Sequence, residues 1–338
     1  MRISVAQSKY FDAWRGGLAI IVAFAHTFQI YSSQYSKFFI VLTGALGGAA
    51  VSGFFVLSGF FIHKSLWANV IDGNVNSYSY LASRINRIIP PFLFALTLTA
   101  FLYLLSPLLF PSGSNHFTIP SDRKGFYLTG FIDSAFFIDI FTRETLSANG
   151  PLWSLTIEVW CYLVSLLYVL LKNKKFIGCL LFPVIISIAY FNPFFFLYFS
   201  LWFFGYLISH FHSSGRLPRI SENRFKILTL IPLFSFLFIF VAPSIMLTKV
   251  GVIFQYIFGI WYIFHMILVL VRDDNNAWVP LVFAGKFSYT LYISHFPLIL
   301  FFYGIGFDST VSFIVAIFLA MFFSRYVEAI KIFDVSRK

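Results

Sequence analysis

Charge is what this sequence has least of. Only 11% of its 338 residues are Asp, Glu, Lys or Arg, against 59% hydrophobic and 22% aromatic, and the mean hydropathy is +0.84. A soluble domain is about 25% charged and has nowhere to hide so much apolar surface. A water-soluble globule is therefore excluded, and the solvent for most of the chain is a bilayer core. In hydrocarbon every backbone polar group must be satisfied internally, so only helices and closed barrels survive. The alternating ten-residue pattern of barrel strands is also missing, and the apolar runs are of helix length, roughly 17–25 residues. The expected fold is all-α, a polytopic bundle of transmembrane helices.

Cysteine is scarce as well. Cys161 and Cys179 both fall in apolar runs, which excludes a disulfide framework and any cysteine metal site. No Gly-rich phosphate loop and no HExxH zinc motif occurs, so no metal is expected. A cleavable leader is not expected either, because the first apolar run exceeds a signal core and carries His26. There is no internal repeat and no low-complexity stretch. Residues 1–338 read as one membrane domain without an appended soluble one.

The charges that are present sit in a pattern. Spans are expected at 15–33, 38–62, 88–110, 152–171, 176–191, 193–210, 227–247, 251–271, 285–304 and 310–327, about ten in all. Of the 24 basic residues, 18 fall at the termini and alternate connections, 5 fall on the opposite side, and Lys286 lies at a span edge. The positive-inside rule then places both termini in the cytoplasm. The formal charge of +11 is thus a topology signal and not a nucleic-acid footprint. The connection from about 111 to 151 faces outward, and its Phe126–Phe141 stretch has the character of an interfacial or re-entrant helix.

Ionisable side chains inside spans are costly, so each is a candidate for function. His26, Glu158, His265 and His295 stand out, with Arg15 at the edge of the first span and Asp12 one turn before it. Arg15 and His26 are eleven residues apart, close to three turns, and share a face with His26 ~16 Å deeper. Glu158 lies six residues into its span, ~9 Å from the outer end. Tyr292 and Ser288 share a helix face with His295. A membrane histidine also serves as hydrogen-bonding glue between helices, and for His265, with apolar neighbours, that is the leading reading. For Glu158 the bland alternative is a helix start built by Pro151 and Trp153. Arg84 and Arg87, three residues apart, form a fork suited to phosphate. Basic residues at cytoplasmic span ends are also ordinary anchors.

These residues, in this order, resemble the acyltransferase 3 family of bacterial membrane acyltransferases. The blocks are Phe11-Asp12-Ala13-Trp14-Arg15-Gly16 followed by His26, then Phe54-Phe55-Val56-Leu57-Ser58-Gly59-Phe60. Arg84-Ile85-Asn86-Arg87-Ile88-Ile89-Pro90 follows, then Pro151-Leu152-Trp153-Ser154-Leu155-Thr156-Ile157-Glu158, and last Gly285 to His295. Ala13-Trp14 stands where Gly-Leu is more usual. The resemblance implies ten membrane helices, a cytoplasmic acyl-CoA donor (acetyl-CoA by family default) and an acceptor hydroxyl on a surface or lipid-linked carbohydrate. It implies a multi-pass protein of the bacterial inner membrane, and it makes Arg15 and His26 the family's Arg-x-ten-His signature. Some members carry a C-terminal hydrolase-like domain, which this chain is read as lacking.

The mechanism expected from these residues has Arg84 and Arg87 holding the phosphates of CoA, helped by Arg15. His26 then acts as general base on the acceptor hydroxyl or carries the acyl group itself. Glu158 or Tyr292 is the expected orienting partner, with Asp12, His295, Ser58 and Trp153 in supporting places. The rival classes are a transporter of a glycan or lipid precursor, a lipid-dependent glycosyltransferase, and intramembrane proteolysis through Ser58. No inverted repeat supports the transporter.

Overall fold

The computed structural model describes residues 3–68, 70–71, 74–75, 77–114, 117, 126–142, 144, 146–171, 181–217, 221–241, 247–272 and 277–334. The described chain is almost wholly helical. Its helices are α1 (Val5–Ile30), α2 (Lys37–Ala68), α3 (Ser77–Leu109), α4 (Leu128–Ala135), α5 (Asp139–Thr142), α6 (Leu152–Leu171) and α7 (Leu181–Phe191). They continue with α8 (Pro193–Ser213), α9 (Glu222–Val241), α10 (Leu247–Val271), α11 (Val279–Gly285), α12 (Ser288–Ile305) and α13 (Ser309–Val327). Strands β1 (Val70–Ile71) and β2 (Asn74–Val75) pair antiparallel in a small hairpin.

Helices overlap every one of the ten expected segments. Six of them are long and apolar enough to cross a membrane by length and composition: α2, α3, α9, α10, α12 and α13. Residues 152–167 of α6 form a shorter apolar helix of the same kind. Part of the segment expected at 176–191, and Cys179 with it, lies outside the described residues.

Two starts come earlier than hydropathy suggests. α1 begins at Val5, where Ser4 and Gln7 form a capping box: Gln7 N donates to Ser4 Oγ at 3.2 Å and Ser4 N to Gln7 Oε1 at 3.0 Å. Such a reciprocal cap satisfies two otherwise orphaned donors. α3 begins at Ser77 and runs through Pro90 and Pro91 without ending. The sequence expectation opens this span at 88, after a connection. Instead, Arg84 and Arg87 lie within the first turns of the spanning helix itself.

The helices form two compact units, residues 1–61 with 201–292 and residues 62–200 with 293–338. The first is built on close backbone crossings. A Cβ on Gly16 would lie 2.3 Å from the Leu281 carbonyl oxygen, and one on Gly285 would lie 2.2 Å from that of Asp12. α1 therefore meets α11 backbone to backbone at the Arg15-Gly16 step. α2 and α8 cross in the same way, with Gly59 against the Trp202 carbonyl and Gly205 against that of Val56. Small residues permit this approach, and packing in lipid depends on it because hydrophobic burial gives no bias there.

The second unit folds its outer connection inward. α4 and α5 stand in place of the single helix expected over Phe126–Phe141, and they pack on α6 and α7. Phe137 between them has φ +55°. It is held by Trp160 Nε1, which donates to its carbonyl at 2.9 Å, and by a ring stack with Phe92 at 4.6 Å. Past α5 the chain dives: Leu146, Ala148 and Asn149 are fully buried. Asn149 Nδ2 donates to Thr99 Oγ1 at 3.3 Å and to the Ile293 carbonyl at 2.9 Å. Thr99 lies ten residues before the end of α3 at Leu109, ~15 Å of helical rise. The connection is re-entrant, and α6 starts well down the length of α3.

Candidate functional site

In the first unit the candidates gather on α1. Arg15 Nη2 pairs with Asp12 Oδ1 one turn before it, and its guanidinium lies 5.3 Å from the centre of the Phe61 ring. Gln7 anchors the start of the helix by donating through Nε2 to the carbonyls of Val269, Leu270 and Arg272 at 3.1–3.3 Å. With the Gly16–Gly285 crossing, these contacts fix the register of the whole Arg15-to-His26 face.

His26 is half-buried, and its Nδ1 lies 2.7 Å from Gln29 Oε1. An amide oxygen accepts, so in this arrangement Nδ1 donates to Gln29. Glu158 or Tyr292 was expected to orient the ring, whereas the neighbour seen at Nδ1 is Gln29, one turn further along α1. The i, i+3 spacing from His26 is the signal that could have named it. The Tyr292 ring packs on Phe54 at 5.1 Å. Ser58 is half-buried beside Gly59, whose own role is the α2–α8 crossing.

His265 has neighbours of a different kind from the apolar ones expected. Its Nε2 lies 3.3 Å from Tyr10 Oη. Trp14 and Trp261 each approach it at 5.2 Å, and Phe225 at 5.5 Å. This is a polar bond inside an aromatic box, and it ties α1 to α10 as interhelical glue.

In the second unit the candidates gather where α3 meets α6. Tyr162 Oη donates to Glu158 Oε1, and Arg84 Nη2 donates to Ser65 Oγ at 3.1 Å. The guanidinium of Arg84 is within electrostatic reach of Tyr162, Arg87, Tyr80 and Glu158. Because α6 starts low beside α3, Glu158 lies deeper than its position near the outer end of a full span suggested. Arg87, three residues on from Arg84, is exposed. The second unit thus holds a mixed cluster, with one arginine partly enclosed near a carboxylate and a phenol and a second arginine facing outward. Trp153 packs on Tyr198 at 5.2 Å. His295 is fully buried, two residues past the Ile293 carbonyl that Asn149 grips. Among the described residues no three His, Cys, Asp or Glu side chains gather as a metal site.

These residues, from the Arg15–His26 face through Arg84-x-x-Arg87 to Glu158 and His295, all lie within the stretch that one family model matches. That model, described as an acyltransferase domain, covers residues 8–327. The chain belongs to the acyltransferase 3 family. Among curated proteins and among solved structures, no match to the chain was found. As a member of the acyltransferase 3 family with several membrane-length apolar helices, it is a membrane acyltransferase. Acyl transfer thereby stands in place of glycan or lipid transport.

Proposed function

We propose that the chain is an acyl-CoA-dependent O-acyltransferase that moves an acyl group, by default acetyl, from a cytoplasmic donor to a hydroxyl of a surface or lipid-linked carbohydrate. The protein works as a ten-span bundle of the bacterial inner membrane with both termini in the cytoplasm. The observation that supports the reading is the His26–Gln29 pair on α1, which holds the imidazole by Nδ1 on the same helix as Arg15.

In this reaction the acceptor oxygen attacks the thioester carbonyl carbon while its proton passes to His26 Nε2. The tetrahedral adduct collapses with cleavage of the carbon–sulfur bond, and the CoA thiolate recovers the proton from the imidazolium. An ester and free CoA result, and His26 returns to its starting tautomer. Gln29 keeps the ring in one tautomer throughout, as base catalysis requires an orienting partner. Arg84 and Arg87 take the donor's phosphates, for which the planar guanidinium fork is the fitting group. Arg15, neutralised in part by Asp12, contributes a further cation at the start of the α1 face. Glu158 acts on Arg84 and Tyr162 and sets the charge of that cluster.

The test compares alkali-labile acyl esters on surface glycans in three strains of the native host. These are a deletion, its wild-type complement and a His26→Ala complement at matched membrane expression. Esters restored only by wild type support transfer and the role of His26. Full esterification by His26→Ala removes His26 from the chemistry.

A further inference from the structure

The middle of the Arg84-x-x-Arg87 turn is gripped from outside its own helix. Asn86 Nδ2 donates to the Phe333 carbonyl at 2.7 Å, and Asn86 Oδ1 accepts from the backbone N–H groups of Ile332 and Phe333, both at 2.8 Å. The Phe333 ring also meets Tyr78, two turns earlier on α3, at 6.4 Å. All of these residues lie in the second unit. The gripped segment is the short tail that leaves α13 after Val327 and crosses to α3.

The turn needs such a hold for a covalent reason. Proline has no N–H, so Pro90 and Pro91 remove the two intrahelical bonds that the carbonyls of Asn86 and Arg87 would accept. The stretch of α3 that carries both arginines is therefore short of its own ladder. One amide side chain replaces that support by bonding the main chain of a passing segment at three points. Burial contributes little to this contact, since residues 331–334 are exposed. The hydrogen bonds set its geometry.

We propose that residues 328–334 form a C-terminal strap, and that Asn86 is the positioning residue through which it holds Arg84 and Arg87 in place for the donor's phosphates. The inference rests on the donor-site reading of those arginines. The strap touches no reacting atom, so it acts on donor affinity and not on the chemical step.

The experiment measures coenzyme A affinity and acyl-transfer kinetics for the full-length protein in detergent. Four proteins are compared: wild type, Asn86→Ala, the double substitution Ile332→Pro with Phe333→Pro, and the combination of all three. The proline pair removes both strap donors without changing any charge or shortening the chain. Asn86→Ala and the proline pair are each expected to raise the Kd for coenzyme A roughly five- to tenfold. The combination should be no worse than Asn86→Ala alone, because the proline pair breaks two of the three bonds that Asn86→Ala removes. The KM for acyl-CoA should rise while saturated kcat stays within about twofold.

Wild-type affinity in both variants overturns the strap. So does weakened binding in Asn86→Ala with the proline pair unaffected, which would mean that Asn86 meets the donor itself. A wild-type protein that binds no coenzyme A defeats the donor-site reading, and the strap's role with it. That outcome is distinct from wild-type binding that the variants leave unchanged. If Asn86→Ala fails to fold, the proline pair, lying outside the helix, still decides.

Discussion

The nitrogen that holds a histidine's proton decides where the ring can take another, and at His26 the neighbour of Nδ1 is Gln29. Gln29→Leu removes the acceptor at Nδ1 and is expected to lower kcat roughly 10- to 100-fold. The Kd for coenzyme A should not move, because Gln29 lies near the far end of α1 from Arg15. Gln29→Glu keeps an acceptor but adds a negative charge that favours the imidazolium. Activity should survive with its acidic limb shifted to higher pH. Identical pH–rate profiles for wild type and Gln29→Glu would show that Gln29 does not orient the reacting ring. Arg84 gives the opposite kinetic signature. Arg84→Ala should raise the KM for acyl-CoA well beyond any fall in kcat, and Arg84→Lys should restore only part, since a lysine lacks the bidentate fork. An unchanged dependence on donor concentration in Arg84→Ala would remove it from the phosphate site.

At the scale of elements, the family-like blocks also carry residues that let helices touch. Gly59 follows Ser58 in the second block, but its own reason is steric. A Cβ there would sit 1.8 Å from the Trp202 carbonyl oxygen and 2.8 Å from its carbon, and those are backbone atoms that cannot step aside. Gly59→Ala must push α2 and α8 apart, with an expected loss of about 1–3 kcal/mol and a lower Tm in detergent. Ser58→Ala, half-buried and one residue away, should leave the Tm near wild type. Equal Tm values for Gly59→Ala and wild type would mean that the crossing is looser than drawn. The same logic explains Gly16 and Gly285, which stand in separate blocks of sequence because they press on one another's helices.

For the molecule as a whole, long apolar runs made the helices legible, and every expected segment is helical where described. Hydropathy misplaced what depends on hydrogen bonds between helices. α1 extends to Val5 because Ser4 and Gln7 cap it, and α3 continues past Pro90-Pro91 although proline usually marks a start. Glu158 sits low because Asn149, a plain polar residue in a loop by sequence, bonds Thr99 and Ile293 far along other helices. The candidate site was legible in its residue types but not in their pairing. No spacing rule links Asn86 to Phe333 or sends α4 and α5 inward.

That inward fold has a consequence for stability. The Asp139 carboxyl is almost fully buried, with only weak hydrogen bonds from Thr156 and the nearby main chain to hold its charge. Burial above all, with Asp133 adding to it and Thr156 opposing, raises its pKa to about 7 from an ordinary 3.8. Below pH 4 the group is protonated in both folded and unfolded chains and costs nothing. Between pH 4 and 7 the unfolded chain ionises first, so stability falls as pH rises. Above pH 7 the loss levels off at roughly 4 kcal/mol. Asp139→Asn should therefore match wild type in thermal unfolding at pH 4 and exceed it in Tm at pH 8. Wild type more stable than Asp139→Asn at pH 8 would show instead that the carboxylate is held as an ion, and the packing of α5 on α6 would need a cation to match.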